Sequence, residues 1–274
     1  MKRRILHCLL FLLVLLGAVA IILPFVWLLS MTLADPKAQT TAAMWQPQQW
    51  RWANLPSILV TNLKHLHLVT SFAVALITAF LQLLVSVLAA FVFVHFNFWG
   101  KRFFWILLVC TLVIPTAIVI IPNYQMLMAS TWTRNLSALI GPEIVNVGAV
   151  WLLIATFQVI AQRFYVEAQL DGASDWYYLR HLVIPLTHPS LITVFISQFC
   201  LSWNNVLWPL VVNRRLSLLT WPLGLQKLGQ QVHFSYQAFL AITTWAIMFL
   251  AFIVLWLQKD LLTGIATLVA DDDR

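Results

Sequence analysis

Apolar positions along this chain fall in long unbroken blocks, not in the alternating or helical stripes of a half-buried soluble element. The blocks cover residues 5–31, 68–96, 103–128, 145–160, 191–212 and 237–258, and polar or charged residues gather between them. A helix rises 1.5 Å per residue, so about 20 apolar residues cross roughly 30 Å of hydrocarbon. The pattern therefore predicts an all-α, polytopic membrane protein with about six transmembrane helices, forming one transmembrane domain over residues 1–274. The fourth block is short and is expected to extend into its neighbouring loop.

Composition narrows this further. Hydrophobic residues make up 62% of the chain, charged residues 9%, and mean hydropathy is +0.88, whereas an ordinary soluble domain carries about 25% charge. The formal charge of +7 is spread singly and in pairs, without the basic stripe that a phosphate backbone requires, and nucleic acid is not an expected partner. Cys8, Cys110 and Cys200 each stand alone in an apolar block, which excludes a disulfide framework and points to packing roles. Lys2-Arg3-Arg4 precedes a block too long for a cleaved signal, and Pro24 to Trp27 continues it without a small-residue cleavage site. The block reads as a retained signal anchor.

An even number of spans and this N-terminal basic cluster place both termini in the cytoplasm, and Lys101-Arg102 in the tight turn from Phe96 to Phe103 supports the same orientation. The loop from Asp35 to His67, with Pro36, Pro47 and Pro56, is then an irregular extracytoplasmic connection, and Trp45, Trp50, Trp52 and Trp132 read as interfacial anchors or lids.

The segment 161–189 is different in character. From Glu167 to Pro189 it carries Glu167, Asp171, Asp175, Arg180 and His181, and each such group costs roughly 2.5 to 3.5 kcal/mol at a bilayer centre, so it belongs outside the membrane. Arg163 to Leu170 suits a continuation of the fourth helix, with Phe164, Ala168 and Leu170 as its apolar stripe. Asp171-Gly172 breaks that helix, and Ser174 can cap a second one with Asp175 at its positive end. The second helix, about Asp175 to Val183, is expected to expose Trp176, Tyr177 and Tyr178 to a soluble partner, and Pro185 and Pro189 end the excursion.

The order and spacing of Asp171-Gly172-Ala173-Ser174 and Ile184-Pro185-Leu186 resemble the EAA loop of ABC importer permeases. Trp203-Asn204-Asn205-Val206-Leu207-Trp208-Pro209-Leu210 resembles the fifth-span motif of carbohydrate and glycerol-3-phosphate permeases. Ile121-Pro122-Asn123-Tyr124 and Leu219 to Leu225 extend the likeness over nearly the whole chain. The resemblance implies a type I ABC importer permease fold in which Glu167, Ala168, Asp171, Gly172, Ala173, Ser174, Trp176, Tyr177 and Pro185 form the loop that couples to an ATPase. It also implies a location in a bacterial cytoplasmic (inner) membrane, a second permease subunit, two ABC ATPase subunits and an extracytoplasmic solute-binding protein. No cofactor is then bound by this chain, and ATP and magnesium are used by the partner ATPase.

Departures accompany the match. Val166 occupies the family's glutamate position and Glu167 an alanine position, a shift of about 100° around the helix. Glu167 then stands four residues before Asp171, a like-charge pair for which Arg163 can compensate. Ala161 and Ile154-Ala155 also differ from the common residues, and the stretch from Ala266 to Arg274 lacks a basic ending.

Gln198, Ser202, Asn204, Asn205 and Asn213 form a polar series in the fifth block, where hydrogen-bonding groups need protein partners or water. They are candidates to line a solute path, with interhelical hydrogen bonding as the competing role. Gln82, Ser86, Asn123 and Gln125 are weaker candidates. His65 and His67 lack a third ligand at zinc spacing, so no metal is expected. The chain contains no GxxxxGK[ST] loop, so any ATP hydrolysis belongs to another subunit. Asp35, Glu143 and Asp260 fall at block ends, which speaks against an intramembrane enzyme and a proton-coupled carrier. The expected function is import of a sugar or related polyol. Within the same class, Arg214-Arg215 points to sn-glycerol-3-phosphate or a glycerophosphodiester; outside it stand a secondary carrier and a non-transporting scaffold.

Overall fold

A computed structural model describes residues 2–34, 50–53, 67–129, 136–160, 162–212, 219–229 and 236–259. The expectations placed on Trp45, Trp132, His65, Ala161, Asn213, Arg214, Arg215 and the stretch from Ala266 to Arg274 lie outside those residues.

The described residues are helical, with no strand among them. In chain order the helices are α1 (Lys2–Leu33), α2 (Leu68–His95), α3 (Lys101–Val113), α4 (Thr116–Ala129) and α5 (Ser137–Ile140), the last followed by a 3₁₀ turn at Gly141–Glu143. They continue as α6 (Val147–Gln158), α7 (Gln162–Leu170), α8 (Asp175–Tyr178), a π-helical stretch at Leu179–Val183, α9 (Ile184–Leu186) and α10 (His188–Trp203). The last three are α11 (Leu207–Val212), α12 (Trp221–Gly229) and α13 (Tyr236–Trp256). Among the described residues four segments are long and apolar enough to cross a membrane alone, or up to six when each bent pair is taken as one span.

Both bent pairs break where the backbone is interrupted. The third apolar block is two helices, α3 and α4, turned by 105° at Ile114-Pro115. Proline disfavours the α conformation in the residue before it, and Ile114 is extended (φ −78°, ψ 116°). The turn at Gly141–Glu143 and α6 meet at 49°, and α6 restarts on Asn146, whose side chain accepts from the Ala149 N–H at 3.1 Å.

The helices fall into two compact units. In the first, covering residues 1–66 and 224–251, the end of α1 meets the middle of α13 through a hydrogen bond of 3.0 Å between the hydroxyls of Thr32 and Thr244, both buried. The side chains of residues 7–26 on α1 are exposed and overwhelmingly apolar, as befits contact with lipid or another chain.

In the second unit, residues 67–223 and 252–274, α6 and α10 both pack on α2. One core joins Val87, Ala90 and Phe91 to Val150, Leu153 and Phe157, and continues to Tyr165, Tyr178 and Val183. A second, smaller core joins Val74, Leu127, Leu139, Trp208 and Val212. Trp208 fastens it by donating from Nε1 to the Ala138 carbonyl at 3.0 Å. Cys8 and Cys110 are on exposed helix faces, so of the three thiols only Cys200 is partly packed.

Candidate functional site

The segment after α6 is a helix–turn–helix built from local rules. Backbone geometry breaks at Val159-Ile160, so α7 is a separate helix and not an extension of α6. It ends in a Schellman motif: Ala173 N–H donates to the Ala168 carbonyl at 2.9 Å and Gly172 N–H to the Gln169 carbonyl at 3.0 Å. The motif needs a left-handed residue, and Gly172 has φ +79°. Ser174 then caps α8, its hydroxyl accepting from the Tyr177 N–H at 3.2 Å.

Asp175 is held more specifically than by a helix end. Tyr165 donates its hydroxyl to Asp175 Oδ1 at 2.7 Å, and Gln169 Nε2 donates to the Tyr165 oxygen at 2.9 Å and to Asp175 Oδ1 at 3.3 Å. Burial, followed by the hydrogen bond and charge of Asp175, pushes the Tyr165 phenol up to about 12. Tyr165 therefore remains a donor throughout the physiological range.

The inward face of the hairpin is aromatic. Tyr165 and Tyr178 meet edge to face at 5.1 Å, and His95, at the end of α2, lies 5.0 Å from the first ring and 5.4 Å from the second. Here the structure corrects two expectations. Tyr178 is 2% exposed, so the outward pair is Trp176 and Tyr177, at 62% and 54%. On α7 the residues that pack inward are Tyr165 and Ala168, while Phe164 and Leu170 face out. Tyr165 and Ala168 are three apart, the spacing of one helix face, and that pairing was the available signal.

Around Tyr177 the outward face continues with His181, whose ring stacks on Tyr177 at 4.2 Å and whose Nδ1 lies 3.1 Å from the Tyr177 carbonyl. Val166, Glu167, Asp171 and Pro185 are also exposed. Pro185 does not end the helical path. It has no N–H to offer the preceding turn, and the wider π-helical stretch at Leu179–Val183 carries the chain through it to a break at Thr187.

The polar candidates of the fifth block separate. Asn204 is exposed and donates from Nδ2 to the Cys200 carbonyl of its own helix at 2.8 Å, so it closes α10. Asn205 lies in the gap between α10 and α11 and donates to the Glu143 carboxylate, and its Oδ1 accepts from Trp208 N–H at 3.4 Å. Gln198 is buried and Ser202 partly so, and neither Gln198 Oε1 nor Ser202 Oγ has a hydrogen-bond partner among the described residues. On α2 the same holds for Thr78 Oγ1, Gln82 Oε1 and Ser86 Oγ, three residues at four-residue spacing. Gln82 Nε2 donates to the Glu143 main-chain carbonyl.

Leaving such a buried group unpaired costs about 1–3 kcal/mol. Glu143, set aside on sequence as a block-end residue, is thus joined to both Gln82 and Asn205. Its distinguishing mark was already visible: it is the one acidic residue between Asp35 and Glu167.

This chain is similar to several transport proteins. It is 28% identical over 192 residues to the arabinooligosaccharides transport system permease protein AraQ of Halalkalibacterium halodurans, covering 70% of this chain and 69% of that one. It is 26% identical over 219 residues to the sn-glycerol-3-phosphate transport system permease protein UgpE of Pectobacterium atrosepticum, covering 77% and 78%. Its fold matches a chain of a bacterial ABC transporter involved in import of the acidic polysaccharide alginate, with a TM-score of 0.76 at 19% identity over 94% of this chain and 97% of that one. Residues 82–262 match the model of one family from the middle of α2 to beyond α13, and the chain belongs to that family, the binding-protein-dependent transport system inner membrane components.

Proposed function

We propose that this chain is the permease subunit through which an ATP-driven importer moves a sugar or related polyol, and that the hairpin from Gln162 to Tyr178 docks a cytoplasmic ATPase. The observation that carries the docking assignment is the split within α8: Tyr178 is buried, while the adjoining Trp176 and Tyr177 stand out. A helix this short is not stable alone. Here it is fastened by Ser174, by Asp175 bonded to Tyr165, and by Tyr178 packed against Tyr165 and His95. Two large aromatics on a rigid base suit the cleft of a soluble partner, since such residues dominate binding at low entropic cost.

The partners in this reading are a second permease subunit, two ATPase subunits and an extracytoplasmic binding protein, with both termini of this chain in the cytoplasm. Closure of the ATPase dimer pulls on α8, and the aromatic contact with His95 hands that motion to α2. Alternating access follows as a rigid-body movement, and no bond is made or broken by this chain.

The test is purification of the chain in mild detergent, co-expressed with its neighbouring genes, followed by mass spectrometry and an ATPase assay. An ATPase, a second permease and a binding protein are the expected companions. Recovery of the chain alone, with transport that collapses when the proton gradient is removed, overturns the reading in favour of a secondary carrier.

A further inference from the structure

We infer that Glu143, together with Gln82 and Asn205, forms a recognition site for hydroxyl groups of a neutral, polyhydroxylated solute. The inference deepens the importer reading and rests on it for the direction of transport, though not for binding. Three segments converge on Glu143. Gln82 on α2 donates to its main-chain carbonyl, and Asn205, from the gap between α10 and α11, donates to its carboxylate. The residue itself closes the 3₁₀ turn that precedes α6. The amide of Asn205 is oriented by Trp208, whose N–H bonds to Oδ1 and leaves Nδ2 for Glu143. The coupling hairpin follows the other end of α6, so site and hairpin are separated by the helix Val147–Gln158, roughly 18 Å at 1.5 Å per residue.

The chemistry of the site is weighted toward acceptors. Asn205 engages one carboxylate oxygen of Glu143, and no cation among the described residues pairs with this group. Gln82 spends one amide N–H on the Glu143 carbonyl, and its Oε1 has no partner among the described residues, although the residue is 6% exposed. Ser86, one turn further along α2, is fully buried, and its Oγ also has no partner among the described residues. On α10, which packs against α2, Gln198 Oε1 and Ser202 Oγ are in the same condition.

A solute that satisfies such a set must bring donors, and sugar or polyol hydroxyls bring many. A phosphate or uronate brings acceptors and negative charge, and recognition of those calls for arginine, lysine or a run of N–H donors.

The test uses the complete transporter, co-expressed with its neighbouring subunits and held in lipid nanodiscs, without added binding protein. Saturation-transfer NMR then reads direct binding of millimolar arabinotriose, sn-glycerol-3-phosphate and an alginate trisaccharide. We expect transfer to arabinotriose alone, reduced at least fivefold by Glu143→Ala and by Gln82→Leu. Glu143→Gln keeps the shape and an acceptor for Asn205, so it guards against misfolding; it is expected to retain arabinotriose and still to exclude both anions.

Signals from either anion as strong as that from arabinotriose in the unaltered protein overturn the inference. So does an arabinotriose signal indifferent to Glu143→Ala, a Glu143→Gln protein that loses arabinotriose as fully as Glu143→Ala, or the absence of transfer to any of the three. Failure of the importer reading is seen separately, as a preparation that contains no ATPase.

Discussion

Tyr165 donates its phenolic hydrogen to Asp175 Oδ1 across 2.7 Å, joining the helix before the Asp171-Gly172 turn to the first residue of the helix after it. Ten residues separate the two in sequence, and the bond sets the angle at which Trp176 and Tyr177 are presented. Gln169 donates to both partners, so the latch is a three-residue network.

Removing the donor tests the latch. In Tyr165→Phe the ring packing with His95 and Tyr178 remains and the hydrogen bond to a charged acceptor is lost, a loss of about 1.5 kcal/mol at the low end for such bonds. We expect ATPase affinity to fall about tenfold with membrane insertion unchanged. Titration of purified ATPase against nanodisc-held protein checks this; an unaltered affinity removes the latch from the docking account.

The same bond predicts an alkaline limit. Tyr165 is held protonated up to about 12, above its ordinary value of 10.0, by burial first and by Asp175 second. A group whose folded-state value is raised contributes stability that is complete below the unfolded value and is lost as pH rises through the folded one. Protease resistance of the hairpin should show no Tyr165-linked change from about pH 6 to 9 and should decline from about 10 toward 12. The tyrosinate absorbance step near 12 should be missing in Tyr165→Phe.

Gly172 is constrained by backbone conformation alone. A Cβ placed there meets nothing within 4 Å, yet φ is +79°. Gly172→Ala should therefore destabilise the turn by about 1–2 kcal/mol through left-handed strain. Gly172→Pro also deletes the N–H that reaches Gln169, and it should abolish ATPase association while the protein still inserts. Co-purification of the ATPase with the proline variant would falsify the docking assignment.

Substitutions on the outward face separate anchor from framework. Trp176→Ala should weaken ATPase binding by about 2 kcal/mol, near thirtyfold, as expected for an aromatic hot spot. Val166→Glu restores the carboxylate common in the family at an already exposed position. It should strengthen coupling or leave it unchanged in an ATP-driven uptake assay, and a clear loss of uptake would mark Glu167 as a contact adapted to its own partner.

Within the first unit, the hydroxyls of Thr32 and Thr244 are 3.0 Å apart, and each also lies within 3 Å of a carbonyl of its own helix, at Leu28 and Leu240; with one hydrogen apiece, one hydroxyl donates across while the other donates to its own helix. A double-mutant cycle with Thr32→Val and Thr244→Val, read by unfolding in mixed micelles, should give a coupling of about 0.6 kcal/mol, typical of interhelical bonds in membranes.

Much of this protein is decided by local rules that need no tertiary information. Block lengths determine membrane-crossing helices because hydrocarbon leaves backbone groups no partners except one another. Gly172, Ser174 and Asp175 mark the turn because left-handed φ and a capping hydroxyl are properties of single residues.

Which side of a short helix is buried depends instead on what lies opposite. Trp176, Tyr177 and Tyr178 are alike in composition, and the rings of Phe91, His95 and Tyr165, brought from elsewhere in the chain, draw the third inward. Glu143 likewise reads as a loop acid until α2 and the gap after α10 bring Gln82 and Asn205 to it. Sequence determined the elements because their causes act within a few residues. Tertiary structure decided the site because hydrogen bonds between distant segments exist only once packing has closed the distance.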